Sequence, residues 1–433
     1  MRLVIIGGGW AGLAAAVRAL DKGHQVTLLE MAPSLGGRAR TVQQHGQHFD
    51  NGQHILIGAY AQTLGLMQRM GVDTAQVLRR LPLSLTRPDG TGLALADRSS
   101  PARFAWAIMR HGHWHWRSRL ALLKASAGWA ARGFECPANL TVQALTEKLP
   151  LEVQQELVEP LCVAALNTPA QTASASVFLR VLKDALMLHK GGADLLLPAR
   201  PLDDLLPGPG LAWLRTRGVE VRLRCRAQDV TPLRSGWMVD SEAFDQVVLA
   251  CPATEAARLT QAHNPAWSAT AARLTHAAIT TVYLTCPGAR LNKQMVFLPR
   301  GPAQFAFDHG AIGLGQGRFA FVISAADDLE HLNRAEVSQR VLDQALHEFP
   351  AGTWPSPPQV SGVFTERRAT FRCEPTVQRP PAAVAPGLWA AGDYVQGPYP
   401  STLEGAVRSG QDAVDLAYEA FAMQNRAPRR DSP

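Results

Sequence analysis

The feature that most constrains the fold of this chain is a strand, glycine turn, helix and strand in its first thirty residues. Residues 3–6 are a run of apolar, mostly β-branched side chains that predicts a buried strand. Gly7, Gly9 and Gly12 follow in the G-x-G-x-x-G spacing, and residues 13–20 predict a helix. A second strand is expected over residues 25–29 and ends at Glu30. This order is typical of a dinucleotide-binding βαβ unit, so the sequence predicts a Rossmann-like α/β domain.

Each residue of this unit has a predicted role. Gly7 permits a tight turn, Gly9 lets the backbone approach a pyrophosphate, and Gly12 lets the helix pack closely on the strand. Free N–H groups at the start of the helix attract the phosphates. Glu30 can accept hydrogen bonds from both ribose hydroxyls and would repel a 2′-phosphate, so the expected nucleotide is an adenosine with a free ribose.

Two further segments place glycine and charge where a cofactor could use them. Gly37 and Arg38 follow the second strand, where the backbone can fold against a phosphate while the arginine neutralises it. Residues 387–394 predict a short strand that reaches Gly392 and Asp393, and a helix with small residues in its first turn follows. The acid can hold the hydroxyls of a ribityl chain, and the helix N-terminus can stabilise negative charge on a reduced flavin. Together with the N-terminal unit, this pattern predicts FAD rather than NAD.

Composition narrows the class of partner. The chain has 433 residues, enough for two joined domains, and its net charge of +7 favours an anionic partner. Because the basic residues are dispersed without a nucleic-acid pattern, we expect a membrane surface rather than DNA or RNA. Six widely spaced cysteines without a C-x-x-C pair favour neither a zinc site nor a disulfide scaffold and fit a reducing cytosol. No metal site is predicted.

The chain is predicted to alternate between two domains. Residues 1–75, 190–255 and 375–424 are assigned to the FAD-binding domain, with a central parallel strand expected over residues 244–252. Residues 76–189 and 256–374 are assigned to an interleaved α+β substrate-binding domain. Residues 425–433 are polar and rich in proline and arginine, so a disordered tail is expected. No run of apolar residues is long enough to predict a transmembrane helix.

A basic, tryptophan-bearing segment over residues 98–124 is predicted to form one amphipathic helix. At 3.6 residues per turn, one face would carry Arg103, Trp106, Arg110 and Arg117, and another would carry Trp116. Such a helix suits an anionic membrane interface, which predicts a cytoplasmic protein peripheral to the inner face of the cell membrane. A solvated surface helix explains the pattern equally well.

Residues 7–41 and 392–410 resemble the FAD-dependent amine oxidase and phytoene desaturase superfamily. The resemblance implies a Rossmann-like FAD-binding domain of the GR2 type with an interleaved α+β substrate domain. It also implies that the adenosine diphosphate half of FAD is bound by Gly7, Gly9, Gly12, Glu30, Gly37 and Arg38. By the same resemblance, Val230 would meet the adenine through its backbone, and Gly392 and Asp393 would meet the ribityl or phosphate oxygens. Gly52 and the backbone of Leu403 would lie beside the flavin.

Within that superfamily, residues 50–60 resemble the squalene-associated desaturases. Amine oxidases usually carry a Gly-Gly or Gly-Ser pair where this chain has Gln53 and His54. They also often carry a lysine on the strand where this chain has Thr280 and Thr281. The resemblance implies that the substrate is a triterpene alcohol, hydroxysqualene, which is reduced to squalene in hopanoid biosynthesis. NAD(P)H is a candidate reductant of the flavin.

Four side chains are candidates for handling this substrate. His54 lies in the stretch expected beside the flavin and can donate a proton, or can merely hydrogen-bond the backbone. Asp50 can orient His54 or cap a turn. Tyr394 and Tyr399 are expected to line the substrate cavity, although core packing explains them nearly as well.

Two other classes of function stay open at this point. A carotenoid-type desaturase or a flavin amine oxidase would use the same scaffold to oxidise its substrate. A prenyl-lipid carrier would use it without catalysis, but the complete set of FAD-binding residues argues against a carrier.

Overall fold

The structure is a computed structural model that describes residues 1–44, 46–187, 190–329 and 331–426. The strands are β1 (Arg2–Ile6), β2 (Gln25–Glu30), β3 (Thr41–Gln44), β4 (Gln47–Asp50), β5 (Leu56–Ile57), β6 (Leu78–Leu81), β7 (Ser84–Thr86), β8 (Gly92–Ala94), β9 (Leu195–Pro198), β10 (Glu220–Leu223), β11 (Val230–Pro232), β12 (Trp237–Val239), β13 (Glu242–Phe244), β14 (Gln246–Leu249), β15 (His276–Thr285), β16 (Met295–Phe297), β17 (Phe305–Asp308), β18 (Arg318–Ile323), β19 (Gln359–Phe371), β20 (Ala383–Ala385) and β21 (Leu388–Ala390).

The helices are α1 (Trp10–Asp21), α2 (Ala61–Arg69), α3 (Thr74–Val77), α4 (Pro101–Met109), α5 (Trp116–Ala131), α6 (Val142–Thr146), α7 (Leu151–Val153), α8 (Glu159–Leu166), α9 (Ala175–Met187), α10 (Leu202–Leu205), α11 (Pro207–Arg215), α12 (Ala253–Thr260), α13 (Pro265–Ala272), α14 (His309–Ile312), α15 (Arg334–Glu348) and α16 (Leu403–Arg426). A π-helical turn, Gln154–Val158, joins α7 to α8, and a 3-10 turn spans Ala326–Leu329.

The first sheet is six-stranded, with the strand order β10-β2-β1-β14-β21-β20. The first five strands run parallel and β20 forms an antiparallel edge. Strand β14 is buried along its whole length, and so is β1 after Arg2, which is why both are apolar after their first residue. The predicted Rossmann-like α/β architecture and the predicted central parallel strand are confirmed.

Helices α1 and α16, from opposite ends of the chain, pack against each other and against this sheet. Small residues permit the close approach, since a Cβ atom at Gly410 would lie 2.1 Å from the carbonyl oxygen of Ala11. Helix α16 continues to Arg426, so the expected disordered tail is wrong for residues 425 and 426. The remainder of that predicted tail, residues 427–433, lies outside the described residues.

The second large sheet is antiparallel and five-stranded, with the order β16-β17-β18-β15-β19. Helix α15 packs on it over a core that includes Phe319, Phe321 and Phe349. Its strands lie between residues 276 and 371, inside the segment assigned to the substrate domain. This antiparallel sheet confirms the expected α+β partner of the Rossmann-like sheet, while the assigned domain boundaries stay a prediction.

The basic segment forms two helices, α4 and α5, rather than one. Between them Trp114 is 2% exposed and donates from Nε1 to Glu156 Oε2 at 2.8 Å. The His111 ring stacks on it with the ring centroids 4.0 Å apart. Burying this tryptophan requires the chain to turn between the helices. The predicted continuous face of Arg103, Trp106, Arg110 and Arg117 is therefore wrong.

Helices that could cross a bilayer are lacking in the described ranges, because none of them combines sufficient length with sufficient apolar character.

Candidate active site

A cavity of about 850 Å³ is lined by residues from both sheets and from both ends of the chain. The predicted cofactor residues on its wall are Gly7, Gly9, Glu30, Gly37, Arg38, Gly52, Gly392, Asp393 and Leu403. The predicted substrate-cavity residues Tyr394 and Tyr399 and the catalytic candidate His54 line the same space. The fold thus brings together segments that are almost 400 residues apart in the sequence.

The glycines after β1 form a turn that tolerates no side chain at two of its positions. Gly7 has a φ of +113°, and a Cβ atom there would lie 2.5 Å from the Ala250 carbonyl oxygen. A Cβ atom at Gly12 would lie 1.9 Å from the carbonyl oxygen of Gly7. At Gly9 the nearest heavy atom would be the Gly37 Cα, 3.8 Å away. Gly7 and Gly12 therefore allow the turn to pack tightly against the protein, whereas Gly9 leaves the backbone open on the cavity wall.

Glu30 ends β2 at the cavity wall and is only 8% exposed. Its Oε2 accepts a hydrogen bond from the Gly8 N–H at 2.7 Å, and its Oε1 accepts one from the Ala32 N–H at 2.7 Å. A carboxylate has about four lone-pair sites, so both oxygens can still accept a hydroxyl hydrogen. The two backbone donors fix the orientation of the carboxylate that we expect at a ribose.

Arg38 and Asp393, predicted separately as cofactor ligands, form an ion pair with each other. Arg38 Nη2 donates to Asp393 Oδ1 at 2.5 Å, and Arg38 Nη1 donates to the Ala369 carbonyl oxygen at 2.7 Å. Asp393 is 6% exposed and lies 355 positions from its partner in the sequence. The pair fixes the loop after β2 to the end of β21, and Arg38 brings positive charge to the wall where phosphates would lie.

Tyr394 supplies an independent indication that a polar molecule belongs in this cavity. Its side chain is 4% exposed, and its hydroxyl has no hydrogen-bond partner among the described residues. Leaving a buried hydroxyl unpaired costs about 1–3 kcal/mol. A hydroxyl-rich and phosphate-bearing cofactor would offer it a partner. With the bare glycine turn, the fixed Glu30 carboxylate and the Arg38 cation, the residues present fit FAD.

Val230 does not lie on the cavity wall formed by the described residues. It is 2% exposed and pairs with Val239 in the antiparallel ladder between β11 and β12. Arg226 and Ala227, a few positions earlier, do line the cavity. Among the described residues the wall therefore carries the preceding segment in place of Val230, and the adenine contact of Val230 stays a prediction without support from the cavity lining.

His54 lines the cavity, and its Nδ1 lies 3.0 Å from the Gly52 carbonyl oxygen. Because a carbonyl only accepts, Nδ1 must carry a hydrogen. Burial lowers the pKa of His54, so the imidazole is neutral near pH 7 and its Nε2 is an acceptor. The structure thus places the side chain beside the cavity in the backbone-bonded arrangement that the sequence also allowed.

Asp50 does not orient His54. Its Oδ1 accepts hydrogen bonds from the Thr41 hydroxyl at 2.8 Å and from the Leu202 N–H at 2.9 Å. Burial raises the pKa of Asp50 to about 6. The predicted orienting role is wrong because the side chain ties β3 and α10 together, and Asp50 is absent from the cavity wall among the described residues.

Gln53 is held by a residue that sequence reasoning missed. His309 Nε2 and Gln53 Oε1 are 2.9 Å apart, and burial lowers the pKa of His309 to about 3. The neutral His309 therefore donates to the Gln53 amide oxygen. Its ring packs edge-on against Tyr283, with the ring centroids 5.6 Å apart. The 256 positions between Gln53 and His309 left no local pattern from which this contact could be predicted.

Beyond the dinucleotide residues the cavity wall is mainly apolar. Helix α9 presents Phe178, Val181, Leu182 and Ala185 at helical spacing, and β15, β17 and β18 close the opposite side. The apolar wall includes Phe104, Leu161, Phe178, Val181, Leu182, Leu186, Ile279, Phe305, Phe307 and Val322. We call this part of the cavity the apolar chamber. It is continuous with the part lined by the glycine turn.

The model of one protein family, described as flavin containing amine oxidoreductase, matches residues 10–417. This chain belongs to the flavin-containing amine oxidoreductase family. Membership makes it a flavin oxidoreductase and implies FAD as the cofactor, in agreement with the residues on the cavity wall. It also confirms the superfamily to which the sequence motifs pointed.

Two full-length relatives and one solved structure are similar to this family member. A hydroxysqualene dehydroxylase of Zymomonas mobilis is 30% identical over 95% of this chain and 98% of its own length. A protein of the same name from Rhodopseudomonas palustris is 26% identical over 96% of this chain and 98% of its own. The crystal structure of an oxidoreductase from Methanosarcina mazei has a TM-score of 0.73 at 14% identity, covering 96% of this chain and 100% of that one. The last similarity shows the shared fold.

Proposed function

We propose that this flavoprotein reduces hydroxysqualene to squalene in hopanoid biosynthesis. The observation that carries the proposal is the full-length similarity to proteins named hydroxysqualene dehydroxylase. The apolar chamber supports it, because a long hydrocarbon needs an extended apolar wall that opens onto the cofactor. In this reaction the carbon–oxygen bond breaks, the oxygen leaves as water after gaining a proton, and a hydride takes its place on carbon. When bound, reduced FAD supplies that hydride.

The chain's own residues would position the substrate and exclude water. The chamber wall buries hydrocarbon at a gain of roughly 25 cal/mol per Å² of apolar surface. A dry wall also protects an electron-poor carbon from attack by water. The ion pair of Arg38 with Asp393 and the fixed carboxylate of Glu30 would hold the cofactor at the mouth of the chamber, so that its reactive ring and the carbinol carbon share one space.

A membrane-facing entrance is part of the proposal. On α4, Phe104 lines the cavity while Trp106 is 62% exposed, so this helix has one side on the cavity and one side on the surface. On α5, Trp116 is 60% exposed. The guanidinium groups of Arg110 and Arg117 lie over these two indoles, 5.6 and 5.5 Å from the ring centroids. Exposed tryptophans beside arginines suit an anionic lipid interface.

Liposome co-sedimentation tests the entrance. We expect salt-sensitive binding to vesicles that contain phosphatidylserine and weak binding to neutral vesicles. The double variant Trp106→Ala/Trp116→Ala should bind less at every salt concentration, whereas Trp213→Ala, at a partly buried position of α11, should bind as the wild type does. Wild-type protein that stays in the supernatant at low salt would refute a membrane-facing entrance.

His54 is the proton donor suggested by the sequence, and its role stays a prediction. A neutral imidazole whose hydrogen is on Nδ1, donated to the Gly52 carbonyl oxygen, can accept but cannot donate at Nε2. General-acid catalysis contributes about 10²- to 10⁴-fold to a rate. On this geometry we expect His54→Ala to lower the turnover number by less than about tenfold. A loss of about 10²-fold or more would require the imidazolium as the donor.

The decisive experiment for the proposed function is product analysis. The anaerobic, prereduced holoenzyme is mixed with hydroxysqualene, and the extract is analysed by gas chromatography. We expect squalene to appear in proportion to the flavin that becomes oxidised. A phytoene-type desaturase or an amine oxidase would instead bleach the oxidised flavin on mixing with its own substrate. A purified protein that is colourless and cannot be reconstituted with FAD would point to a carrier.

A further inference from the structure

A buried carboxylate interrupts the apolar chamber. Asp184 lies on α9 next to Ala185, lines the cavity, and is 6% exposed. Its neighbours on the same helix, Phe178, Val181 and Leu182, contribute only hydrocarbon to the wall. A carboxylate is costly to bury unless it is paired and hydrogen-bonded. No part of the FAD-binding cradle accounts for its presence there.

Asp184 is held by two partners from different parts of the chain. Arg180, one helical turn earlier, donates from Nε to both carboxylate oxygens at 3.0 Å. The Tyr399 hydroxyl donates to Asp184 Oδ2 at 2.8 Å and accepts from Arg180 Nη2 at 3.1 Å. Because the Arg180 side chain is 40% exposed, it reaches from the carboxylate towards solvent. The three side chains form one closed triangle, which we call the Asp184 cluster.

The phenol hydrogen of Tyr399 is engaged within this cluster, whereas one lone pair of Asp184 Oδ1 is not. Burial and the adjacent Asp184 raise the pKa of Tyr399, so the phenol keeps its hydrogen and directs it at Oδ2. Asp184 Oδ1 accepts only from Arg180 among the described residues and retains a free lone pair. The cluster therefore offers an acceptor to the chamber, which suits a hydroxyl donor and gives nothing to a hydrocarbon.

The position of the cluster relates it to the cofactor. Tyr399 lies four positions before Leu403, whose backbone is expected beside the flavin, and both residues line the cavity. Arg408, from the first turns of α16, places its guanidinium 5.4 Å from the centroid of the Tyr399 ring. A hydroxyl bound at Asp184 would thus lie beside Tyr399, on the same cavity wall as the segment that leads to Leu403.

We propose that Asp184, oriented by Arg180 and Tyr399, binds the hydroxyl group of the triterpene alcohol and lets this protein select the alcohol over the corresponding hydrocarbon. The inference rests on the proposed function for the identity of the substrate. It assigns Asp184 a binding role and Tyr399 a positioning role. It also explains how the product would leave, since squalene lacks the group that Asp184 holds.

Equilibrium binding to the oxidised holoenzyme tests the inference without turnover. Hydroxysqualene and squalene are titrated separately in the same detergent, and the perturbation of the visible flavin spectrum is followed. We expect the wild type to bind the alcohol about 10- to 100-fold more tightly than squalene, the worth of a hydrogen bond to a charged group. Asp184→Leu should abolish this ratio while leaving squalene binding unchanged or tighter.

Two further variants keep the test informative. Tyr399→Phe retains the ring and removes the hydroxyl, so the ratio of alcohol to squalene affinity should fall by about 2- to 10-fold. This variant tests the inference if Asp184→Leu does not fold. Asp415→Asn is the matched control, because Asp415 pairs with Arg18 at 2.9 Å outside the cavity. This control should retain the wild-type ratio.

The outcomes separate the two proposals. Wild-type protein that converts hydroxysqualene to squalene but binds both equally would overturn the role of Asp184 and leave the proposed function standing. An Asp184→Leu variant that keeps the wild-type ratio would do the same. Wild-type protein that yields no squalene from the prereduced state would overturn the proposed function, and the inference would fall with it.

Discussion

The glycine turn with its charged neighbours and the apolar chamber share one cavity but are built in opposite ways. The first uses bare backbone, where Gly7 and Gly12 leave no room for a Cβ atom, and a few charges fixed by hydrogen bonds. The second uses side chains from α9 and the antiparallel sheet, each supplying a small patch of hydrocarbon. A site of the first kind tolerates little change. A site of the second kind should tolerate substitutions that preserve volume.

The largest effect should come from Gly12→Ala. The added Cβ would meet the Gly7 carbonyl oxygen at 1.9 Å, and backbone cannot move aside as a flexible side chain can. We expect a loss of about 3 kcal/mol in the free energy of unfolding and little bound FAD. Thermal denaturation and the absorbance ratio of flavin to protein measure both. Gly65→Ala, inside α2 with no heavy atom within 4 Å of the new Cβ, is the control and should be neutral or stabilising. If the two variants had equal stability and equal FAD content, the close approach at Gly12 would not be what limits substitution there.

Arg38→Met should have the next largest effect, because it leaves the buried carboxylate of Asp393 unpaired. We expect a loss of about 2 kcal/mol, less than for a fully buried pair, since the Arg38 side chain is 38% exposed. The affinity for FAD should fall as well, measured by fluorescence during dialysis. Arg18→Met removes a more exposed ion pair and should cost less than about 1 kcal/mol. Similar losses of stability in the two variants would show that the burial of Asp393 does not strengthen the effect of removing its partner.

Asp50→Asn should stabilise the protein in a pH-dependent way. Burial raises the pKa of Asp50 from 3.8 to about 6, so the folded state binds more protons than the unfolded state between these values. The wild type therefore loses stability as the pH rises from about 4 to about 6. Asparagine keeps both hydrogen bonds, since Thr41 and Leu202 donate to the same oxygen. We expect a gain of about 1–2 kcal/mol at pH 8 and none at pH 4 in urea denaturation. A gain in the free energy of unfolding that is equal at both pH values would show that the raised pKa of Asp50 is not its cause.

The smallest effect is expected in the chamber. Leu182→Met changes shape but hardly changes volume, so the free energy of unfolding should fall by less than about 1 kcal/mol. Bound FAD should equal that of the wild type, while the affinity for hydroxysqualene shifts within a few-fold. Urea denaturation and flavin absorbance measure these quantities. If this variant lost its flavin as Gly12→Ala should, the two parts of the cavity would not differ in tolerance.

Several elements of this comparison follow from local sequence. Strands β1 and β2, helix α1 and the glycines between them were predictable because short-range sterics and hydrophobic periodicity determine them. The end of β21 and the start of α16 were predictable for the same reason. The break of the basic segment into α4 and α5 was not predictable, because burying Trp114 against His111 and Glu156 overrides the amphipathic pattern. The place of Val230 relative to the cavity was not predictable either, because Arg226 and Ala227 line the wall while Val230 is buried in the ladder with β12.

The sequence by itself determined the Rossmann-like domain, the flavin and the family, because these depend on residues within about forty positions of each other at either end of the chain. Only the tertiary structure decided which distant groups meet. In the folded chain Arg38 forms an ion pair with Asp393, and His309 donates a hydrogen bond to Gln53. Asp50 accepts hydrogen bonds away from the cavity, and Tyr399 donates one to Asp184. Contacts of this kind arise from packing between segments that are far apart in the sequence, so they cannot be predicted from local sequence patterns.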